Sequence, residues 1–194
     1  MKNRYFLLRH GQAVSNVKNI MSCWPEKKRH PLTKEGKEQV KKAAEELKKE
    51  NIDLIFSSDI LRTKQTSEIA SKILKIKPKY DKRIREYDVG VFNGRPIEEY
   101  RNSFESSMKR FRLKAKKGEN YTDIEKRMGS FLKDMERKYK GKNILVVSHQ
   151  LPIVMFIGVF EKLSNKRIYE EYVKTDRIKN GEIIAVDRIG KSMI

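Results

Sequence analysis

A chain of 194 residues suits one domain with a sizeable core. Its 45 lysines and arginines against 26 acidic residues leave a formal charge of +19, which favours anionic partners: phosphorylated metabolites, nucleic acid or membrane surfaces. The single cysteine excludes an internal disulfide, no apolar run approaches the roughly 20 residues needed to span a bilayer, and three histidines with one cysteine are poor material for a soft-metal site.

Tyr5 to Leu8 is a short apolar run that reads as a buried strand, and it stops at once on Arg9-His10-Gly11. The chain enters this strand without the apolar segment of a signal peptide, which predicts a cytoplasmic protein. Gln12 to Met21 reads as a short helix or turn, followed by a loop through Cys23-Trp24-Pro25 in which His30 is expected to be exposed. Thr33 is a plausible N-cap for a helix with Val40, Ala43, Ala44 and Leu47 on one face, and Asn51 can close it in a left-handed conformation. The lysines and glutamates of that helix predict a solvated face with i,i+4 pairs such as Glu38 with Lys42 and Glu45 with Lys49. Such mixed faces account for much of the positive charge, so specific nucleic-acid binding is not expected.

Asp53 to Phe56 is a second buried strand, running into Ser57-Ser58-Asp59, a turn suited to cap a helix from about Ile60 to Leu74. Lys79 to Asp81 reads as a short strand, and Ile84 to Gly90 as irregular chain. Residues 97–115 predict a very polar helix with Tyr100, Phe104, Met108 and Phe111 as its apolar positions. The surrounding segment, about 93–118, reads as an insertion over a site, a small helical cap too polar for core. Thr122 to Glu125 is read as a capping box for a helix whose apolar face is Ile124, Met128, Phe131, Leu132 and Met135, with Gly141 as its stop. Ile144 to Val147 is the clearest strand, β-branched at three of four positions. It ends on Ser148-His149-Gln150, a helix follows from Pro152, and Ile183 to Val186 is a last strand. Strands alternating with helices predict an α/β fold over residues 1–194: a three-layer sandwich with a mostly parallel central sheet, helices on both faces and the small cap.

In a parallel sheet the three strand-to-helix junctions share one edge, where such sheets bind ligands. Two of the three histidines, His10 and His149, then occupy equivalent positions on two strands. Phosphoryl transfer needs charge neutralisation on the non-bridging oxygens and an in-line nucleophile. Arg9 and Arg62 offer multi-donor guanidinium groups, His149 a further hydrogen bond, and His10 an imidazole nitrogen able to attack phosphorus. Neither a metal nor a cofactor is required. The departing alkoxide needs a proton, and Glu86 is the candidate: bordered by apolar residues and bound phosphate, its pKa would rise. An ordinary surface carboxylate would look the same locally. Asn16 is a candidate phosphate contact, although a loop asparagine is more often a cap.

These residues together resemble the histidine phosphatase superfamily, also called the phosphoglycerate-mutase-like family. Leu8-Arg9-His10-Gly11 looks like its defining motif, Pro31 to Gly36 like its turn before the first long helix, and Ser57 to Thr66 like its second-arginine motif. Arg85 to Gly90 with Gly94 is similar to its proton-donor loop, and Gly118-Glu119-Asn120 through Arg127 and Val147-Ser148-His149 to its remaining blocks. The resemblance implies His10 as the phosphorylated nucleophile, Arg9, Arg62 and His149 around the phosphate, Glu86 as proton donor and Asn16 as a further phosphate contact. Gln12-Ala13 stands where Glu-Thr is more frequent, and Gln150 where a glycine often follows the second histidine. His149 is not followed by aspartate, which argues against the acid-phosphatase branch.

Short length and the Glu-Tyr-Asp-Val-Gly order favour a metal-independent phosphatase of small phosphomonoesters over the alternative, a cofactor-dependent phosphoglycerate mutase. The basic residues Lys109, Arg110 and Arg112 hint at a substrate with more than one negative group, and solvated side chains explain them equally well. A more distant alternative is a basic nucleic-acid-binding module with a vestigial pocket, but no clustered aromatic platform for bases is visible. The expected partner is a small phosphorylated substrate, with no specific nucleic acid and no membrane, and the protein itself is expected to be a monomer or homodimer.

Overall fold

The computed structural model describes residues 2–175, 178–187 and 190–193. In chain order it comprises β1 (Arg4–Arg9), α1 (Val14–Val17), α2 (Lys34–Leu47), β2 (Leu54–Ser57), α3 (Leu61–Leu74), β3 (Pro78–Tyr80), α4 (Ile97–Asn102), α5 (Tyr121–Lys138), β4 (Asn143–Ser148), α6 (Gln150–Glu161), α7 (Asn165–Ile168), β5 (Ile183–Asp187) and β6 (Gly190–Met193). The six strands form one sheet in the order β3-β2-β4-β1-β5-β6. The first four in that order are parallel, and β5 and β6 continue the sheet antiparallel.

Apolar residues at successive positions in β1 and β4 are what a strand buried on both faces requires. Phe6, Leu8, Leu145 and Val147 project to one face, where Ala43, Ala44 and Leu47 of α2 and Ala70 of α3 cover them. Tyr5, Leu7, Ile144 and Val146 project to the other, against Met128 and Phe131 of α5 and Phe156 of α6. The register matters more for function. Arg9 lies opposite Ser148, and Ser57 opposite Val147, so β1, β2 and β4 end level with one another. Among the described residues no helix is long and apolar enough to cross a membrane.

The structure departs from the sequence expectations in several places. The helix expected over 97–115 is broken: α4 ends at Asn102, and a 3-10 turn covers Ser107–Phe111. The Ser103 hydroxyl donates to the Tyr100 carbonyl at 2.7 Å, one of the local bonds by which serine competes with a continuing helix. Nor is this segment too polar to bury anything, since Tyr100 and Phe111 are buried beside Tyr87 and Tyr121. The capping box of α5 is set by Asn120 and Asp123, whose side chains each accept the other's backbone N–H, at 2.8 and 3.2 Å. Thr122 instead donates to the Phe111 carbonyl. α6 starts at Gln150, two residues before Pro152, because a proline in the first turn leaves no needed N–H unmade. On α2 the pairs formed are Lys41 with Glu38 and Lys48 with Glu45, at i,i+3. His30 is buried. β6 was not anticipated, as Gly-Lys-Ser-Met has no β-branched run.

Candidate active site

Immediately after β1 the chain presses onto the start of α2. A methyl carbon at Gly11 would stand 2.2 Å from the Gly36 carbonyl oxygen, and one at Gly36 would stand 2.0 Å from that of Gln12. Two glycines facing each other therefore let backbone pack on backbone, and this contact sets the position of His10 between them and the sheet. The buried His10 ring lies 2.8 Å through Nδ1 from the Gly11 carbonyl, a group that can only accept. The proton of the neutral ring is then on Nδ1, and Nε2 carries the lone pair.

Arg62 sits in the first turn of α3, almost wholly buried, and its Nε donates to His10 Nε2 at 3.0 Å. Its other nitrogens donate to the Ser22 carbonyl at 2.9 Å and the Ser22 hydroxyl at 3.3 Å, and Glu26 stands 3.8 Å away. Arg9, the last residue of β1, donates to the Ile178 carbonyl and lines the same cavity. His149 is the N-cap residue of α6 and has no solvent exposure. Its ring is 5.1 Å from that of His10, edge to face. His149 Nε2 lies 3.0 Å from the Ser58 hydroxyl, and its Nδ1 stands 3.9 Å from Glu86 Oε2.

Glu86 follows a 3-10 turn at Lys82–Ile84. Its Oε1 accepts the Tyr87 N–H at 3.1 Å. The loop that carries it is tied down on both sides. Arg85 binds Asp59 through two nitrogens and stacks on Trp24 at 4.2 Å. Arg127 donates to the Arg83 and Arg85 carbonyls and to Glu119, which in turn accepts the Asp88 N–H at 2.9 Å. Asn16 is both a cap and a cavity residue. Its Oδ1 accepts the Ala13 N–H at 2.9 Å within α1, which leaves the amide nitrogen to offer protons to the cavity.

All six residues proposed from the sequence thus come to one place. Arg9, His10, Asn16, Arg62 and Glu86 line a cavity of about 820 Å³, and His149 stands directly behind it against His10 and Glu86. Of the three basic cap residues, only Arg110 lines this cavity; Lys109 and Arg112 are exposed, and Lys109 pairs with Glu105. Sequence reasoning placed Ser58 at the β2–α3 junction without giving it a role there beyond capping, and missed Ser22 and the bracing roles of Glu119 and Arg127. Ser58, Glu119 and Arg127 fall in blocks that resemble the family, whereas Ser22 carried no signal, because a positioning serine has no composition of its own.

The electrostatics follow from burial beside guanidinium groups. Burial, then Arg62 and Arg9, lower the pKa of His10 well below its ordinary 6.5. Burial, then Arg62 and His10, do the same to His149. Burial raises the pKa of Glu86 above the ordinary 4.5, with Arg62 pulling the other way. The pocket can therefore present an uncharged imidazole lone pair, two cations for a phosphoryl group and a carboxyl able to hold a proton.

A family model described as histidine phosphatase superfamily (branch 1) matches residues 5–184. Phosphoserine phosphatase 1 of Hydrogenobacter thermophilus is 28% identical over 127 residues, 63% of this chain and 60% of that protein, so the chain matches less than two thirds of that relative's length. A probable phosphoglycerate mutase of Photorhabdus laumondii is 28% identical over 162 residues, 79% of this chain and 72% of that one. Among solved structures, a mycobacterial glucosyl-3-phosphoglycerate phosphatase superposes with a TM-score of 0.83 at 20% identity, covering 98% of this chain and 96% of that one. A phosphoserine phosphatase of Entamoeba histolytica, solved with 3-phosphoglyceric acid, gives 0.80 at 20% identity over 98% and 94% of the two chains. The structural likeness carries the fold, and the family model, running from the first strand into the fifth, carries the rest: this chain belongs to branch 1 of the histidine phosphatase superfamily.

Proposed function

We propose that the protein is a phosphomonoester phosphatase that works through a phosphohistidine on His10. The observation that carries this reading is the His10 geometry: Nδ1–H is held by the Gly11 carbonyl while the Nε2 lone pair sits 3.0 Å from Arg62 Nε. Arg62 thus donates to the nucleophile at rest and is placed to bind the phosphoryl oxygens once substrate enters. Arg9, Asn16 and His149 complete the cradle. Attack of Nε2 on phosphorus breaks the ester bond, and Glu86 gives its proton to the departing alkoxide. The resulting carboxylate then takes a proton from water as that water displaces the phosphoryl group from His10. The single cysteine, Cys23, is a buried free thiol, in keeping with a reducing compartment, and we place the enzyme in the cytoplasm.

The substrate reading is a phosphomonoester with a second anionic group. The cavity is much larger than a phosphate, and Arg110 stands in its wall over Tyr100 and Phe104, its Nε buried without an acceptor. A mutase is the second reading, favoured by the name of the Photorhabdus relative. The test is incubation with a labelled phosphomonoester and quenching in alkali. Acid-labile label on wild type, absent from His10→Ala, is the expected result; unlabelled wild type, or label that survives in the variant, overturns the mechanism. Fast release of inorganic phosphate supports the phosphatase, whereas transfer to a monophosphoglycerate with little hydrolysis supports the mutase.

A further inference from the structure

Ser58 lies between β2 and α3 and does not line the cavity, yet it is held with unusual care. It is fully buried. Its N–H donates to the Val147 carbonyl at 3.0 Å, and its carbonyl accepts the Ser57 and Thr63 hydroxyls at 2.8 and 3.0 Å. The backbone at this point has no freedom to swing, and the hydroxyl oxygen on it is held by two contacts of its own. That oxygen accepts the Ile60 N–H at 3.4 Å and lies 3.0 Å from His149 Nε2.

A hydroxyl has one proton to give. With the Ile60 N–H directed at its oxygen, the Ser58 proton needs an acceptor, and among the described residues His149 Nε2 is the one at hydrogen-bond distance. We infer that Ser58 is a positioning residue that sets the tautomer of His149: its hydroxyl donates to Nε2, which puts the ring proton on Nδ1 and aims it at the phosphoryl group. The other atom of the ring supports this. His149 Nδ1 is buried with no hydrogen-bond partner, and it faces Glu86 Oε2 across 3.9 Å, beside the edge of the His10 ring. A non-bridging oxygen of the phosphoryl group whose phosphorus His10 attacks would lie there and would accept from Nδ1–H. The reverse tautomer would leave the serine proton without an acceptor and turn a lone pair towards an oxyanion. His149 has no charge to rescue that arrangement, since burial and Arg62 hold its pKa well below the ordinary value.

His10 and His149 are then the same tautomer turned opposite ways. His10 spends Nδ1–H on the Gly11 carbonyl and shows the site a lone pair; His149 receives the Ser58 proton at Nε2 and shows the site an N–H. The bond made at one ring nitrogen decides the role of the other. This inference rests on the reading of the cavity as a phosphoryl site.

The chain has only three histidines, so long-range proton–nitrogen spectra of histidine-labelled protein resolve each ring, assigned through single substitutions. The expected result is an Nδ1–H tautomer for His149 in wild type, with its Nδ1–H resonance moved by added inorganic phosphate. Ser58→Ala is expected to lose that fixed tautomer and to lower kcat roughly 10- to 100-fold, with KM changed much less. Ser58→Thr, which keeps the hydroxyl, is expected to restore both. An Nε2–H tautomer in wild type, or an Nδ1–H tautomer that persists unchanged in Ser58→Ala, overturns the inference. If Ser58→Ala does not fold, the wild-type spectrum still decides. The two levels fail separately: Nε2–H at His149 in an enzyme that forms phosphohistidine faults the role of Ser58, whereas Nδ1–H without phosphohistidine faults the proposed function.

Discussion

Glu86 bears the sharpest conflict in the pocket, because burial favours its protonated form while the Arg62 guanidinium favours its loss of the proton. The net shift is upward, so Glu86 holds its proton to a higher pH than a free glutamate, and kcat should fall as pH rises through that raised value. Glu86→Gln is expected to lower kcat by about 10²- to 10⁴-fold on an alkyl phosphate, whose alkoxide must be protonated, and to remove that alkaline fall. On an aryl phosphate, whose leaving group departs unprotonated, phosphorylation of His10 and hence kcat/KM should fall little, even where the base role of Glu86 in hydrolysis lowers kcat. Steady-state rates on the two esters across pH test this; equal losses of kcat/KM on both would remove Glu86 as proton donor to the leaving group. A second residue-scale expectation concerns Arg110. Arg110→Met should raise KM for a substrate with a distal anionic group and leave KM for a simple aryl phosphate nearly unchanged, because the Arg110 side chain lines the cavity from the cap segment. At this scale the sequence was informative about groups with distinctive chemistry, His10, Arg62 and His149. It was silent about Ser22 and placed Ser58 only in a capping turn, because the value of both lies in where the backbone holds them.

At the scale of elements, the facing glycines show why the contact between the end of β1 and the start of α2 cannot be varied freely. Gly36→Ala sets a methyl carbon against the Gln12 carbonyl, which is backbone and cannot rotate away. The expected cost is about 1–3 kcal/mol of stability, read as a drop of several degrees in Tm, together with lower kcat because His10 adjoins the same contact. A variant with unchanged Tm and kcat would refute this account of the contact. Boundaries set by strong local chemistry were legible beforehand. Thr33 does cap α2, accepting the Gly36 N–H at 3.0 Å, and Asn51 adopts a left-handed conformation with φ of 47°. The α5 cap was misplaced by two residues because Asn120–Asp123 and Thr122–Glu125 both fit the pattern, and only the approach of Phe111 to Thr122 decides between them.

The whole molecule carries +19, and that excess should draw anionic substrates to the cavity. A fall in kcat/KM with added salt, several-fold between low and high ionic strength, is the expected signature, and a flat response would show that the charge is local to solvated faces. Stability should depend on pH through the two buried imidazoles. Their folded-state pKa values lie well below the ordinary 6.5, so above that pH both states are neutral and nothing is lost. As pH falls below about 6.5 the unfolded chain takes up protons that the native pocket refuses, and stability declines towards the folded-state values. Glu86, with its pKa raised, acts in the opposite sense as pH falls, but it is one group against two. Denaturant titrations between pH 7 and 5 should show this decline, and replacing both His10 and His149 by glutamine should reduce it.

By itself the sequence determined the alternation of strands and helices, both apolar faces of β1 and β4, and which side chains have phosphoryl chemistry. These follow from periodicity and residue type, which act over a few positions. What needed the folded chain was that β1, β2 and β4 end level, that Arg62 Nε meets His10 Nε2 and that His30 is buried. Those facts depend on register and on contacts between residues 50 or more positions apart, such as His10 with Arg62 and Ser58 with His149, and no local pattern encodes the distance between such groups.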